Sequence, residues 1–397
     1  MNRVHMLAGL ILSANTLVQL LGAEPQAAPY IVAAGPYVVE TVDEVVLHDA
    51  QRKKDLPVFV SYPKGDGKFP VIVFSHGAMG SGDMGFPIVQ HWTSQGYVVL
   101  CPTHADSIKL QRGAGRDAAA GARGGLLSRA LGEGNSTGRP QDVTFLLDSL
   151  DVLEEKVPAL QGKFDRDRVG VGGHSLGAFT AQVVGGATLK LGGQDEPRSF
   201  ADPRVKAILQ LSGQGKDQQG LHEHSWDNLK LPMMCVTGSL DRGAQGQGPE
   251  WKRDPFKYSP PGHKYFLFIE GAHHGSFTGK MVEGRLPGAG RSRQLTPEQR
   301  ERLRERFEGK SSKLAAPQST ESPDEKTTGP RADGRLGSGR TGLAGASGDQ
   351  KAIFEWVKQA TTAFWDAALK ADATAKAWLA SDALVNQSGS KAKLERR

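Results

Sequence analysis

Apolar residues recur along the chain in short, nearly continuous runs, separated by stretches with helical spacing. The runs fall at 40–47, 57–62, 71–75, 97–101, 168–172, 205–211, 233–237 and 264–270, and most are rich in Val, Ile and Phe. Continuous rather than alternating runs suit strands covered on both faces. Helical periodicity fits 84–94, 139–155 and 175–187. In the second stretch Val143, Leu146, Leu147, Leu150 and Leu153 recur three and four residues apart. The first runs read as a hairpin. The strand–helix alternation after them predicts an α/β fold, with a mostly parallel eight-stranded sheet and helices on both faces.

The pattern breaks after residue 280. Residues 281–350 hold 11 Gly, 5 Pro and only 8 Leu, Ile, Val or Phe, well below the ~20 % floor for a packed core. They are expected to form a low-complexity Gly/Arg-rich insertion. Within it, Thr296-Pro297-Glu298-Gln299 is a capping box with Pro at the first helical position, which predicts one short helix over 297–308. The stretch 337–342 spells G-x-G-x-x-G, but no strand pattern precedes it, so it carries no dinucleotide chemistry. Periodicity returns at 352–369 through Ile353, Phe354, Val357, Ala360, Phe364 and Trp365, which predicts a core-covering helix. A second is expected near 373–380. From residue 387 onward, Lys391, Lys393, Arg396 and Arg397 read as a solvated tail.

At the other end, Arg3 and His5 precede an apolar stretch over 7–21 that is interrupted by Ser13, Asn15, Thr16 and Gln19. Gly22 and Ala23 then offer small residues for cleavage. This is the pattern of a secretory signal peptide over 1–23, too short and polar for a membrane span of about 20 apolar residues. The expected division is therefore a leader (1–23), a core (24–280), the insertion (281–350), helices completing the core (351–382) and a basic tail (383–397). The expected location is secreted or periplasmic, with no transmembrane segment.

Composition narrows the chemistry. Lys and Arg (49) exceed Asp and Glu (43) by only six over 397 residues, too thin an excess to define a nucleic-acid partner. Two cysteines exclude a disulfide scaffold and a cysteine-rich metal cluster. Histidines at 222, 224, 273 and 274 lack metal-site spacing, so no metal is expected.

The richest stretch is Val169-Gly170-Val171-Gly172-Gly173-His174-Ser175-Leu176-Gly177-Ala178: a strand, then G-x-S-x-G, then a small-residue helix start. A Ser at such a strained strand-to-helix turn presents its Oγ at the carboxyl edge of the sheet, and glycines on either side relieve crowding. The helix N-terminus places N–H groups beside the oxygen that becomes negative during attack. Ser175 is thus the expected nucleophile. The acid and base should follow in that order. Asp241 lies just past the run 233–237, and His274 just past 264–270. His274 would take the Ser175 proton, and Asp241 would orient the imidazole. Asp217 and Asp227 are rival acids, and His273 is a rival base.

With these motifs the chain resembles a serine α/β-hydrolase. Within that fold it is similar to the platelet-activating-factor acetylhydrolase and predicted dienelactone hydrolase (cutinase-like) branch. The resemblance rests on Phe74-Ser75-His76-Gly77, Gly96-Tyr97-Val98-Val99, Arg139-Pro140-Gln141-Asp142-Val143, Gly173-His174-Ser175-Leu176-Gly177, Gly271-Ala272-His273-His274 and Ala363-Phe364-Trp365-Asp366-Ala367. It implies ester hydrolysis through an acyl-enzyme without a cofactor. It also implies an oxyanion hole built from the backbone N–H groups of Ala78, with Met79 as the neighbouring choice, and of Leu176. His76 would shape the loop. Where the mammalian plasma acetylhydrolase carries its acid, this chain reads Gln210-Leu211-Ser212-Gly213, and true dienelactone hydrolases use Cys rather than Ser, so neither substrate transfers. Hydrolase strand order also sets Cys101 four strands from Cys235, roughly 19 Å, so two separate buried thiols are expected.

The expected activity is that of an exported carboxylic-ester hydrolase for short acyl or aryl esters. The alternatives are a lipase, phospholipid acetylhydrolase or polyester hydrolase, or a non-catalytic binding protein of the same fold. The partner is a small-molecule, lipid or polymeric ester. Met79, His104, Trp226 and Phe277 are the candidate substrate contacts.

Overall fold

A computed structural model describes residues 34–84, 86–113, 130–192, 196–282 and 347–397. The leader, most of the insertion and the expected helix at 297–308 lie outside the described residues. The apolar runs form strands β1 (Val39–Asp49), β2 (Lys54–Pro63), β3 (Phe69–Ser75), β4 (Val98–Pro102), β5 (Phe164–His174), β6 (Val205–Leu211), β7 (Met233–Gly238) and β8 (Lys264–Ile269). β1 and β2 pair as the expected hairpin, β2 meets β4 antiparallel, and β4, β3, β5, β6, β7 and β8 run parallel.

One strand was not expected. β9 (Ala392–Arg396) closes the sheet as a ninth strand, antiparallel on β8, giving the order β1-β2-β4-β3-β5-β6-β7-β8-β9. The basic tail is therefore part of the sheet rather than solvated. Its reason is period two: Ala392 and Leu394 face inward while Lys393, Glu395 and Arg396 face out. Glu395 also forms an ion pair with Arg253 across the surface.

Alternate residues of the central strands feed two cores. Val71 and Val73 pack on one face, under α3 (Glu133–Asp148), α4 (Leu150–Lys156) and α5 (Leu176–Val184), with Leu146, Leu150 and Phe179. Ile72 and Phe74 pack on the other, under α1 (Pro87–Ser94), α7 (Ser347–Leu369) and α8 (Ala373–Ala380), with Trp92, Trp365 and Trp378. A Cβ on Gly170 would lie 2.5 Å from Trp365 Cζ3, so that glycine lets the C-terminal helix seat against β5. The periodic stretch 139–155 is two helices, broken at Ser149, whose Oγ–H donates to the Phe145 carbonyl. Two short helices, α2 (Ile108–Gly113) and α6 (Asp254–Tyr258), and a last one, α9 (Ala383–Gln387), complete the described elements. Cys101 and Cys235 are separate, buried thiols on β4 and β7, and burial pushes both up. Among the described residues, no helix is long and apolar enough to cross a membrane.

Candidate active site

Ser175 stands between β5 and α5 with φ 56° and ψ −119°, a conformation that strains any side chain bearing a Cβ. The flanking glycines are sterically required. A Cβ on Gly173 would fall 2.3 Å from the Gly177 backbone, and one on Gly177 would fall 1.8 Å from Ser75 O. The turn is pinned from the next strand, where Leu211 O accepts the Ser175 N–H at 2.9 Å.

Two further strand ends bring Asp241 and His274 together. His274 Nδ1 is 3.2 Å from Asp241 Oδ1. Asp241 is fully buried, whereas the His274 side chain is 45 % exposed, toward the cavity that it lines with Ser175. Burial alone would raise the Asp241 carboxyl. Hydrogen bonding from His274 and the charge of Lys252 outweigh it and hold the group below its usual value. Thr237 Oγ1–H donates to the second carboxylate oxygen at 2.9 Å. The other histidine, His273, turns to its own loop: its N–H donates to Ser276 Oγ, and its Nδ1 accepts from Gly275 N–H.

The loop after β3 is held from beneath. Met79, at φ 62°, donates its N–H to Asp106 Oδ2 at 2.8 Å, so that N–H is already used, while Ala78 and Ser175 line the same cavity. Asp106 in turn is clasped by Arg139, whose Nη1 also donates to the carbonyl of His76 at 2.6 Å. Leu176 opens α5, where first-turn N–H groups have no partner within the helix.

The cavity measures about 540 Å³. Met79, Met84, Phe86, Leu131, Trp251 and Met281 give it apolar walls, with Gln214 and Gln218 as polar points. Gln214 Oε1 and Gln218 Nε2 are buried without a partner. Of the expected substrate contacts, Met79 lines it, and three do not. His104 is fully buried: its Nε2 meets Ser75 Oγ at 2.9 Å and its Nδ1 meets Asp142 Oδ2 at 2.8 Å. Burial, reinforced by the Arg139 charge, lowers it to about 4. Trp226 is also fully buried, donating to Gln182 Oε1 at 2.7 Å and stacking on Tyr258. Phe277 packs into the core beneath α7. All three are structural because large or polar side chains at strand ends and in loops turned inward, which composition cannot show.

Sequence reasoning passed over four groups at the site. Ser212 and Lys252 touch the Asp241–His274 pair. His174 donates from Nε2 to the His274 carbonyl at 2.7 Å, tying the strand before Ser175 to the loop of His274. Its ring lies 4.7 Å from that of His274, and burial, then the His274 charge, lowers it to about 3. Trp251 forms a wall. Of these, Ser212 had a signal, since it stands at the strand end where the acetylhydrolase that the motifs resemble places its acid. Among the described residues, no group of His, Cys, Asp and Glu is arranged to hold a metal ion.

The chlorophyllase family model matches residues 28–122, a stretch that carries the hairpin, β3, β4 and the Ala78–Met79 loop and ends before Ser175. No curated protein matches the chain. Sheet, strand–Ser–helix junction and family match agree on the α/β-hydrolase fold, and the match points to an ester hydrolase of that type.

Proposed function

We propose that the protein is an exported serine carboxylic-ester hydrolase working through an acyl-enzyme. The observation that carries this reading is one cavity holding the strained Ser175 and His274, with His274 Nδ1 on the buried Asp241. Ser175 Oγ attacks the ester carbonyl while His274 Nε2 takes its proton. The N–H groups of Ala78 and Leu176 hold the oxyanion. His274 then returns the proton to the departing alkoxide, which leaves as the alcohol. Water, deprotonated by the same imidazole, releases the acid and restores Ser175. Asp241 keeps Nδ1 protonated and stabilises the imidazolium.

Short acyl or aryl esters are the proposed substrates. The apolar Met, Phe and Trp walls also favour a second reading, bulkier lipid or polymeric esters, as in a lipase, phospholipid acetylhydrolase or polyester hydrolase. The motifs shared with the acetylhydrolase and dienelactone hydrolase branch support ester cleavage, not a particular substrate. Residues 1–23 support export to a secreted or periplasmic location.

Turnover of p-nitrophenyl esters of graded acyl length tests this directly. Wild-type protein should hydrolyse at least the short esters, and Ser175→Ala should not. An inactive wild type, or a fully active Ser175→Ala, would leave the alternative of a non-catalytic binding protein of this fold.

A further inference from the structure

Lys252 is a lysine with almost no access to water, its side chain 3 % exposed, and the carboxylate it pairs with, Asp241, is the one that also meets His274. Its Nζ donates to Ser212 Oγ at 3.0 Å and to the Gly213 carbonyl at 3.3 Å, and stands 3.6 Å from Asp241 Oδ1. Burying an ammonium costs several kcal/mol unless its surroundings compensate. Its neighbour Ser212 is also held at cost, at φ 56°. The two are in contact, Lys252 against Asp241 and Ser212 against both Asp241 and His274, which points to a use at the site.

Valence assigns that use. A hydroxyl has one proton and two lone pairs. Ser212 Oγ has three neighbours: Lys252 Nζ at 3.0 Å, Asp241 Oδ1 at 3.0 Å and His274 Nδ1 at 2.7 Å. The ammonium only donates, so it fills one lone pair. The carboxylate only accepts, so it takes the hydroxyl proton. The remaining lone pair faces His274 and is satisfied only by an Nδ1–H. With the proton on Nδ1, Nε2 is bare and ready to accept the Ser175 proton.

We propose that Lys252 is a positioning residue that acts through Ser212, fixing His274 in its Nε2-basic tautomer and placing a positive charge against the Asp241–His274 pair. This rests on the triad reading above. The Lys252 charge stands 3.6 Å from Asp241 Oδ1, so removing it should show in the pH profile of the reaction. The other titratable or charged groups facing the pair are His174 from the end of β5, His273 from the same loop as His274, and Arg242 beside Asp241. Burial keeps His174 neutral at working pH.

The test is the pH profile of kcat/KM on p-nitrophenyl acetate for wild type, Lys252→Gln and Lys252→Arg, with folding checked by thermal melts. The Gln amide can still donate to Ser212, so Lys252→Gln isolates the charge. Its acid limb should move to higher pH by about one unit, with kcat reduced. Lys252→Arg should return the limb to its wild-type position. A double-mutant cycle with Ser212→Ala checks the route, since Lys252→Gln should cost less kcat when Ser212 is absent. An acid limb that stays put in folded Lys252→Gln overturns the proposal whatever happens to kcat. So do additive losses in the cycle. If Lys252→Gln and Lys252→Met both fail to fold, the lysine is a stability element and the proposal also falls. Ser175→Ala separates the two levels: if it retains activity the triad reading itself fails, whereas an unmoved limb with inactive Ser175→Ala removes only the role of Lys252.

Discussion

Arg139 clasps Asp106 beneath the loop that follows β3. Its Nη2 lies 2.8 Å from each carboxylate oxygen and its Nε 3.0 Å from Oδ1, with both side chains almost wholly withdrawn from water. The same carboxylate accepts the Met79 N–H, and the same guanidinium reaches the carbonyls of His76 and Gly77. One buried pair therefore sets the direction of the Ala78 peptide.

Arg139→Met should cost about 3–5 kcal/mol of stability, because it leaves the Asp106 charge buried and alone. Asp106→Asn keeps the shape but weakens the grip on Met79. It should lower kcat about tenfold with little change in KM, as expected for a group that acts on the transition state. Urea unfolding and steady-state kinetics separate the two effects. An Asp106→Asn enzyme with wild-type kcat would show that the loop holds itself.

Three buried histidines predict a specific acid limit. Burial, helped by Arg139, lowers His76 well below its ordinary value. The same causes lower His104 to about 4, and burial with the His274 charge lowers His174 to about 3. In the unfolded chain each takes a proton near its ordinary value of about 6.5. Below that pH the unfolded state binds protons the folded state refuses, so stability is complete above about 6.5 and falls toward 4. With all three contributing, the slope approaches about 4 kcal/mol per pH unit, from about 1.4 for each. Melting temperatures flat between pH 7 and 4.5 would contradict this.

Ser175→Gly should abolish esterase turnover and yet raise stability by about 1 kcal/mol, since glycine adopts φ 56° without strain. Denaturant midpoints of the two proteins decide it. A less stable Ser175→Gly would mean that the Oγ or Cβ contacts outweigh the strain.

Removing residues 389–397 should destabilise the fold by about 3 kcal/mol through loss of Leu394 and Ala392 burial. It should also bare the edge of β8 and promote concentration-dependent association. Sedimentation and urea titration of the truncated protein would reveal both, and unchanged stability would mean that β9 is ornamental.

The sequence shows some parts of this molecule better than others, for physical reasons. Ser175 and the strands around it are legible because glycine crowding and continuous apolar runs are local signals. His104 misleads because its neighbours to the strand side point to the site mouth, while its partners Ser75 and Asp142 lie far away in the chain. A clue was present: Arg139 and Asp142 share a helix face with Val143 and Leu146, so charges had to be buried there. β9 shows only two inward apolar residues among charges, which a tail would also show. Lys252 sits in a single 3-10 turn with no period to betray it.

The chain leaves the described core just past Lys280 and Met281, which line the cavity, and returns through α7, where Gln350 Oε1 accepts from Ser276 Oγ at 2.7 Å. Gly279 likewise sits against the ring of Phe354. Exit and entry are thus neighbours on the turn that follows His274. Chain of almost any length can be spliced between two such fixed posts, since the closure cost grows only with the logarithm of length, about 0.6 kcal/mol per doubling. The rim of the cavity is therefore a port at which the chain can be lengthened, shortened or exchanged without redesigning the sheet.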